Sequence, residues 1–258
     1  MNEPIRYTVN DGVAVLSVNR PGARNALNWA AQEQFAERVA AASQDRSLRV
    51  LIITGAGHQA FVAGGDLKEL AQYGDQAGGE RLNRVMGQAL AQLTALPVPV
   101  IAAVNGDAYG GGCEIITACD LRLAAAHAHF QFAQIRNALT TGWGGTARLV
   151  RLIGQSRAME LLLTGRTMTS QEAHAVGLLH EVVAPGQDAL VVAQQWAERL
   201  RQLPQAALAA NKQLVHAAAS HSLAETYALE THLFTHLWVH PDHHEAMQAF
   251  NEKRPAVF

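Results

Sequence analysis

The sequence predicts an α/β fold followed by an all-helical C-terminal part, and three observations carry that prediction. Short apolar, β-branched runs recur at 13–18, 50–54 and 98–104, each too short for a helix and each abutting Gly, Asn or Pro. Segments with helical spacing lie among them, the first at 29–43. Beyond 180–183 only helical patterns remain, at about 187–202, 205–219, 222–239 and 243–252. The switch falls at Ala184-Pro185-Gly186 and divides the chain into 1–184 and 185–258.

Residues 5–9 and 13–18 alternate around Asn10-Asp11-Gly12, a hairpin signal. In the polar loop 20–28, Asn28 stands where a side-chain oxygen caps the helix from Trp29. Arg24 is a candidate phosphate contact, set against the ordinary alternative of a solvated loop arginine. The run at 50–54 has the composition of a buried strand, and it leads through Gly55-Ala56-Gly57 to Phe61-Val62-Ala63-Gly64-Gly65-Asp66. Asp66 is in position to cap a helix at Leu67, and His58 lies in the preceding loop, either exposed or near a ligand. The strand at 98–104 turns at Asn105-Gly106 and meets Gly110-Gly111-Gly112, which opens a helix near Cys113 and Glu114.

Glycine at a helix entrance leaves backbone N–H groups unpaired and removes the side chains that would hold a ligand at a distance. A phosphate cradle is disfavoured on two grounds: the Gly-Lys-Ser/Thr ending is missing, and Glu114 puts an acid where phosphate oxygens would lie. A carboxylate base beside N–H donors instead suits a reaction that makes an enolate and holds its oxygen. Two such loops exist, so one N–H from each, Ala63 and Gly111, is the expected pair of donors. Close packing alone is the competing account of either loop.

Composition narrows the partners. Of 258 residues, 49% are hydrophobic and 16% charged, enough apolar mass for one large core. A net charge of -2 without a long Lys/Arg run argues against nucleic acid and anionic membranes as partners. The N-terminal stretch lacks the basic and apolar regions of a secretory signal, and no apolar run is long enough to span a bilayer, so a cytoplasmic location is expected. Cys113 and Cys119 fit neither a disulfide framework nor zinc spacing; buried thiols are expected, with an activated Cys113 nucleophile as the alternative. His232, His236 and His240 share one helix stripe too long for a single ion, so a solvated or subunit-facing stripe is expected and no metal site.

Five stretches resemble the crotonase (enoyl-CoA hydratase/isomerase) superfamily: NRPGARNALN at 19–28, AFVAGGDLKEL at 60–70, PVIAAVNGDAYGGGCEIITACDLRLA at 99–124, GWGGTARLVRLIG at 142–154 and AMQAFNEKRPAVF at 246–258. The resemblance implies a crotonase-type spiral of repeated ββα units, then a helical part that caps the site and builds a homotrimer or a dimer of trimers. It implies an acyl-CoA thioester as substrate, with CoA entering as part of that substrate and no separate cofactor. Ala63 and Gly111 become the oxyanion-hole donors and Glu114 the first of two catalytic glutamates. Arg24, Ala26, Ala63, Asp66, Leu67 and Lys253 become contacts for the CoA ester, Lys253 together with Arg254 reaching its phosphate in the same or a neighbouring subunit.

Counting back without gaps from Gly144-Gly145-Thr146 puts the second catalytic position at Gln134, where the chain departs from the family pattern. A Gln amide orients water but does not trade protons near neutral pH, so Glu114 has to both take and return the proton. Three activities survive that loss: hydration of a 2,3-enoyl-CoA through Glu114 alone, Δ3-Δ2 double-bond isomerisation, and decarboxylation of an alkylmalonyl-CoA. Trp143-Gly144-Gly145 and the missing acid are similar to alkylmalonyl-CoA decarboxylases of the superfamily. A CoA-ester binder with weak or lost catalysis is the reading outside enzyme chemistry, and the intact Glu114 argues against it.

Overall fold

The computed structural model describes residues 3–258. β1 (Ile5–Asn10) and β2 (Val13–Val18) form the expected hairpin, closed by Asp11 and Gly12 at positive φ. α1 (Trp29–Gln44) is capped by Asn28, whose Oδ1 accepts from the Ala31 N–H at 3.1 Å. The chain then winds in repeated units. β3 (Val50–Gly55) is followed by β4 (Ala60–Val62), α2 (Leu67–Leu70) and α3 (Gln76–Ala95). β5 (Val100–Val104) is followed by β6 (Asp107–Tyr109) and α4 (Gly111–Thr117). β7 (Leu121–Ala125) is followed by β8 (His129–Gln131), α5 (Gly145–Ile153) and α6 (Gln155–Thr164), and β9 (Met168–Thr169), α7 (Ser170–Ala175) and β10 (Glu181–Val183) end the winding.

In each unit the first strand joins a large sheet of order β1-β2-β3-β5-β7-β10 and the second joins a small sheet of order β4-β6-β8-β9. Neighbours run parallel from β2 through β10 in the large sheet and from β4 through β8 in the small one. This is the ββα spiral that the resemblance implied. Each turn leaves the C-terminal end of a large-sheet strand, crosses to the small sheet and enters a helix, so successive helix entrances stack beside one another.

Strand parity divides the core. Leu51 and Ile53 of β3, with Val100, Ala102 and Val104 of β5, face the cluster built with α1 and α3. Val50, Ile52, Ile101 and Ala103 point the other way, onto Ala189, Val192, Ala193 and Ala197 of α8 (Ala189–Arg201). Both faces are therefore covered, which is why β3 and β5 are continuous apolar runs without alternation. Each buried Val, Leu or Ile contributes about 1.5–3 kcal/mol of burial. α8 starts beyond the 184/185 division, so that division marks a change of element type and lies inside the core.

α9 (Gln205–Ala218), α10 (Leu223–Trp238) and α11 (Pro241–Glu252) complete the chain, within two residues of the positions the sequence predicts for all three. Pro241 occupies the first turn of α11 after a His240 cap, where its missing N–H costs nothing. Lys212 ties α9 to the sheet, its Nζ donating to Asp120 at 2.7 Å and to the Val98 carbonyl at 3.0 Å. α10 buries none of its own residues and exposes Leu223, Tyr227, Phe234 and Trp238. Among the described residues no helix is long and apolar enough to cross a membrane.

Candidate active site

α4 begins where β6 ends, and all seven of its residues are buried. Gly112 has to be glycine, because a Cβ there would lie 1.9 Å from the Val62 carbonyl oxygen. That contact presses the α4 entrance against the β4 loop, the first of the two glycine-lined loops.

Glu114, in the first turn of α4 and 2% exposed, turns its carboxylate toward the N-terminus of α5. Its Oε2 accepts from the N–H groups of Trp143 at 2.8 Å and Gly145 at 2.9 Å. Its Oε1 accepts from the Gly142 N–H at 3.2 Å and from Gln134 Nε2 at 2.9 Å. Four donors meet about four lone-pair positions, so the carboxylate is held in one orientation with its acceptor capacity filled. Gly145 makes this approach possible: a Cβ there would lie 2.6–2.9 Å from the Glu114 side chain.

The structure therefore brings Gln134 onto Glu114, as the ungapped count predicts. Its amide orientation follows from the network, since the reverse would set oxygen against oxygen. Gln134 Oε1 is buried and has no hydrogen-bond partner among the described residues. A buried acceptor without a donor costs about 1–3 kcal/mol, and a ligand or water O–H would relieve that cost. The oxygen lies at a cavity of about 340 Å³ whose wall includes Gly65, Tyr109, Gly111, Glu114, Gln134 and Trp143.

The first oxyanion donor needs correcting. The Ala63 N–H is already committed, donating to the Arg24 carbonyl at 3.2 Å. Two residues on, Gly65 forms a parallel bridge with Leu27: the Leu27 N–H donates to the Gly64 carbonyl and the Asp66 N–H to the Leu27 carbonyl. In such a bridge the flanking residues supply the bonds, and Gly65's own N–H faces away from Leu27. That N–H has no acceptor among the described residues, nor does the Gly111 N–H at the head of α4. Gly65 and Gly111 therefore offer one uncommitted N–H from each glycine loop in the pocket wall.

Asp66 is a second correction. Its side chain makes no cap bond among the described residues and pairs with Arg20 at 3.0 Å, while Arg20 also donates to the Ala26 carbonyl. Asp66 and Ala26 thus fasten the β4 loop to the loop before α1. Leu67 is 58% exposed and lines the cavity mouth. Arg24 is exposed, and its charge reaches Tyr109 on the cavity wall. Tyr109 has its pKa pushed up to about 12, by burial first and then by its bond to Asp107, with Arg24 opposing. Lys253 sits in a left-handed conformation just after α11, away from the cavity lining. Arg254 makes exposed ion pairs with Glu245 at 2.6 and 2.9 Å and with Glu252 at 2.6 Å.

The Cys113 thiol is fully buried against the Ala108 carbonyl, and burial pushes its pKa up to about 12, which removes the nucleophile reading. His58 is exposed and outside the cavity. His232 and His236 are exposed and His240 caps α11; no trio of metal-ligating side chains gathers among the described residues. A larger cavity, about 510 Å³, lies behind α4. Its polar groups serve each other, Lys212 with Asp120 and Arg122 with the carbonyls of Leu178, Cys119 and Asp120.

Comparison with known proteins shows the family and the fold. The family model described as enoyl-CoA hydratase/isomerase matches residues 8–258. The chain is 39% identical to the 2,3-dehydroadipyl-CoA hydratase of Escherichia coli over 95% of its own length and 94% of the relative. It is 34% identical to the short-chain-enoyl-CoA hydratase of Clostridium acetobutylicum over 94% and 92% of the two chains. A solved enoyl-CoA hydratase from Bacillus anthracis superimposes with a TM-score of 0.94 at 34% identity, covering 99% of this chain and 98% of that one.

Proposed function

The chain belongs to the enoyl-CoA hydratase/isomerase family, and from that premise we propose that it adds water to a 2,3-enoyl-CoA with Glu114 as its only acid–base group. The observation that carries this reading is the pairing of a four-fold held carboxylate with the partnerless Gln134 Oε1. Gly65 and Gly111 N–H groups receive the thioester oxygen and stabilise it as negative charge develops. A water donating one O–H to Gln134 Oε1 and facing Glu114 with the other attacks C3. Glu114 takes the water's proton and returns it to C2, so H and OH arrive on the same face.

The two carboxylate oxygens divide this work. Oε2 is pinned by two backbone donors at 2.8 and 2.9 Å. Oε1 has one long backbone bond and one side-chain donor, so it is the less firmly held oxygen and the one that trades the proton. The same oxygen can move a proton between C2 and C4, which makes Δ3-Δ2 isomerisation the second reading. The relatives named above are hydratases, and the decarboxylase alternative draws no support from them. Arg24 and Leu67 are the CoA-side contacts this reading uses, with CoA as part of the substrate. The exposed apolar stripe of α10 is surface that a homotrimer or dimer of trimers would cover.

A mass-resolved assay offering crotonyl-CoA, a 3-enoyl-CoA and ethylmalonyl-CoA to the purified protein tests the proposal, with Glu114→Gln as control. Gain of water on crotonyl-CoA is the expected result. An isobaric shift of the 3-enoyl ester alone would make the protein an isomerase, and loss of carbon dioxide a decarboxylase.

A further inference from the structure

Glu114 is held from behind as well as in front. Arg148, one turn into α5, donates from Nη2 to the Trp143 carbonyl at 2.6 Å and from Nε to Thr117 Oγ1 at 3.2 Å. Thr117 is 5% exposed and passes the bond on, its hydroxyl donating to the Glu114 backbone carbonyl at 2.8 Å. The Trp143 whose carbonyl Arg148 holds is the residue whose N–H holds Glu114 Oε2. A closed circuit results: Glu114 carboxylate, Trp143 peptide, Arg148 guanidinium, Thr117 hydroxyl, Glu114 carbonyl.

We propose that Arg148 is the positioning residue of this site, clamping the 142–145 turn that receives the Glu114 carboxylate onto the helix that carries it. It touches no reacting atom. Each time Glu114 takes a proton, a hydrogen bond to Oε1 has to loosen, and a carboxylate held only by neighbouring loop amides would then be free to swing. The guanidinium prevents this because its planar fork fixes two partners at once, one on each element, which an ammonium point charge does not. Arg148 is half-buried beside that turn, close enough for Glu114's charge to offset part of what burial costs the guanidinium. A simple α4–α5 tie would affect folding alone; a clamp on the turn sets the rate of proton transfer.

This inference rests on Glu114 being the base, so the test separates the two. Solvent-deuterium exchange at C2 of butyryl-CoA reads proton transfer directly, alongside kcat and KM on crotonyl-CoA, butyryl-CoA affinity and thermal melting of the intact protein. Arg148→Met should slow exchange and kcat about 10²-fold, the scale of a small misplacement, with KM and affinity moving less than about threefold. Arg148→Lys should recover about tenfold of that loss by restoring one of the two bonds. Rates within about threefold of the parent for Arg148→Met, or equal losses in rate and affinity, would overturn the proposal. Should Arg148→Met not fold, Thr117 decides: Thr117→Val slowing exchange about tenfold, with Thr117→Ser recovering most of it, upholds the clamp, and equal rates for the two overturn it. Glu114→Gln exchanging as fast as the parent would remove the functional reading and this one together. Glu114→Gln inert beside a fast Arg148→Met removes only the clamp.

Discussion

On one wall of the pocket α4 buries all seven of its residues and Glu114 meets four donors; on the other, residues 135–140 are exposed throughout and Gln134 leaves an oxygen without a donor. The first wall is assembled largely from backbone N–H groups and from Gly111, Gly112 and Gly145, where a single added carbon collides. The second is a short helical turn ending in Ala138 at positive φ, with room around its side chains. The difference separates two jobs. On the proposed function, the tight wall fixes where the proton travels, and the loose wall governs what reacts with it, water or a second carbon of the acyl chain.

Substitutions on the tight wall should be the most costly. Glu114→Gln should lower kcat about 10³-fold while butyryl-CoA affinity stays within about threefold, measured by kinetics and calorimetry. An equal loss of affinity would make Glu114 a packing element and erase the contrast. Gly145→Ala comes next: its methyl group displaces the carboxylate, and kcat should fall about 10²-fold with the fold retained by circular dichroism. The loose wall should instead tolerate change and gain by it. Gln134→Glu restores a second proton carrier, and hydration of crotonyl-CoA should rise about tenfold; an unchanged rate would show that position 134 is not where the second proton carrier belongs.

Two smaller effects serve as controls at side chains that do not line the pocket. Cys113→Ala should leave kcat within about threefold and lower stability by about 1 kcal/mol, as removal of a small buried group does. His180, just before β10, is only partly covered; its pKa is lowered by that partial burial first and then by the Arg122 charge, and its Nδ1 accepts from the Arg122 N–H. Its folded-state pKa lies below the unfolded value near 6.5. The unfolded chain therefore binds more protons, and stability is full above about 6.5 and falls as pH drops below it. Thermal melts between about pH 7.5 and 5.5 should show that decline, His180→Gln should flatten it, and kcat should not follow it.

Much of this contrast is legible in the sequence. Glycines before a first-turn acid announce Gly111 and Glu114, and an ungapped count from the next glycine turn finds Gln134, because both lie in the one short stretch between β8 and α5. What escapes the sequence is carried by partners distant along the chain. Ala63 and Gly65 look alike in a glycine loop; only the bridge to Leu27, nearly forty residues earlier, decides which N–H is free. Asp66 has the spacing of a cap, yet Arg20 claims it. The donors of Gly142, Trp143 and Gly145 are backbone groups, and backbone has no letter of its own. Arg148 stands in a motif that marks the family, with nothing in its spacing to say what it grips.

The helix laid across the sheet by α8 has a bearing on how the chain is made. Val50, Ile52, Ile101, Ala103 and Leu123 belong to strands synthesised early, but the residues that cover them run from Ala189 to Ala197. A ribosome that has translated the whole catalytic spiral still holds a sheet with one bare apolar face, open to chaperones or to sticking to its neighbours. A gene shortened at the boundary suggested by composition would encode every residue of the pocket and still yield an insoluble product.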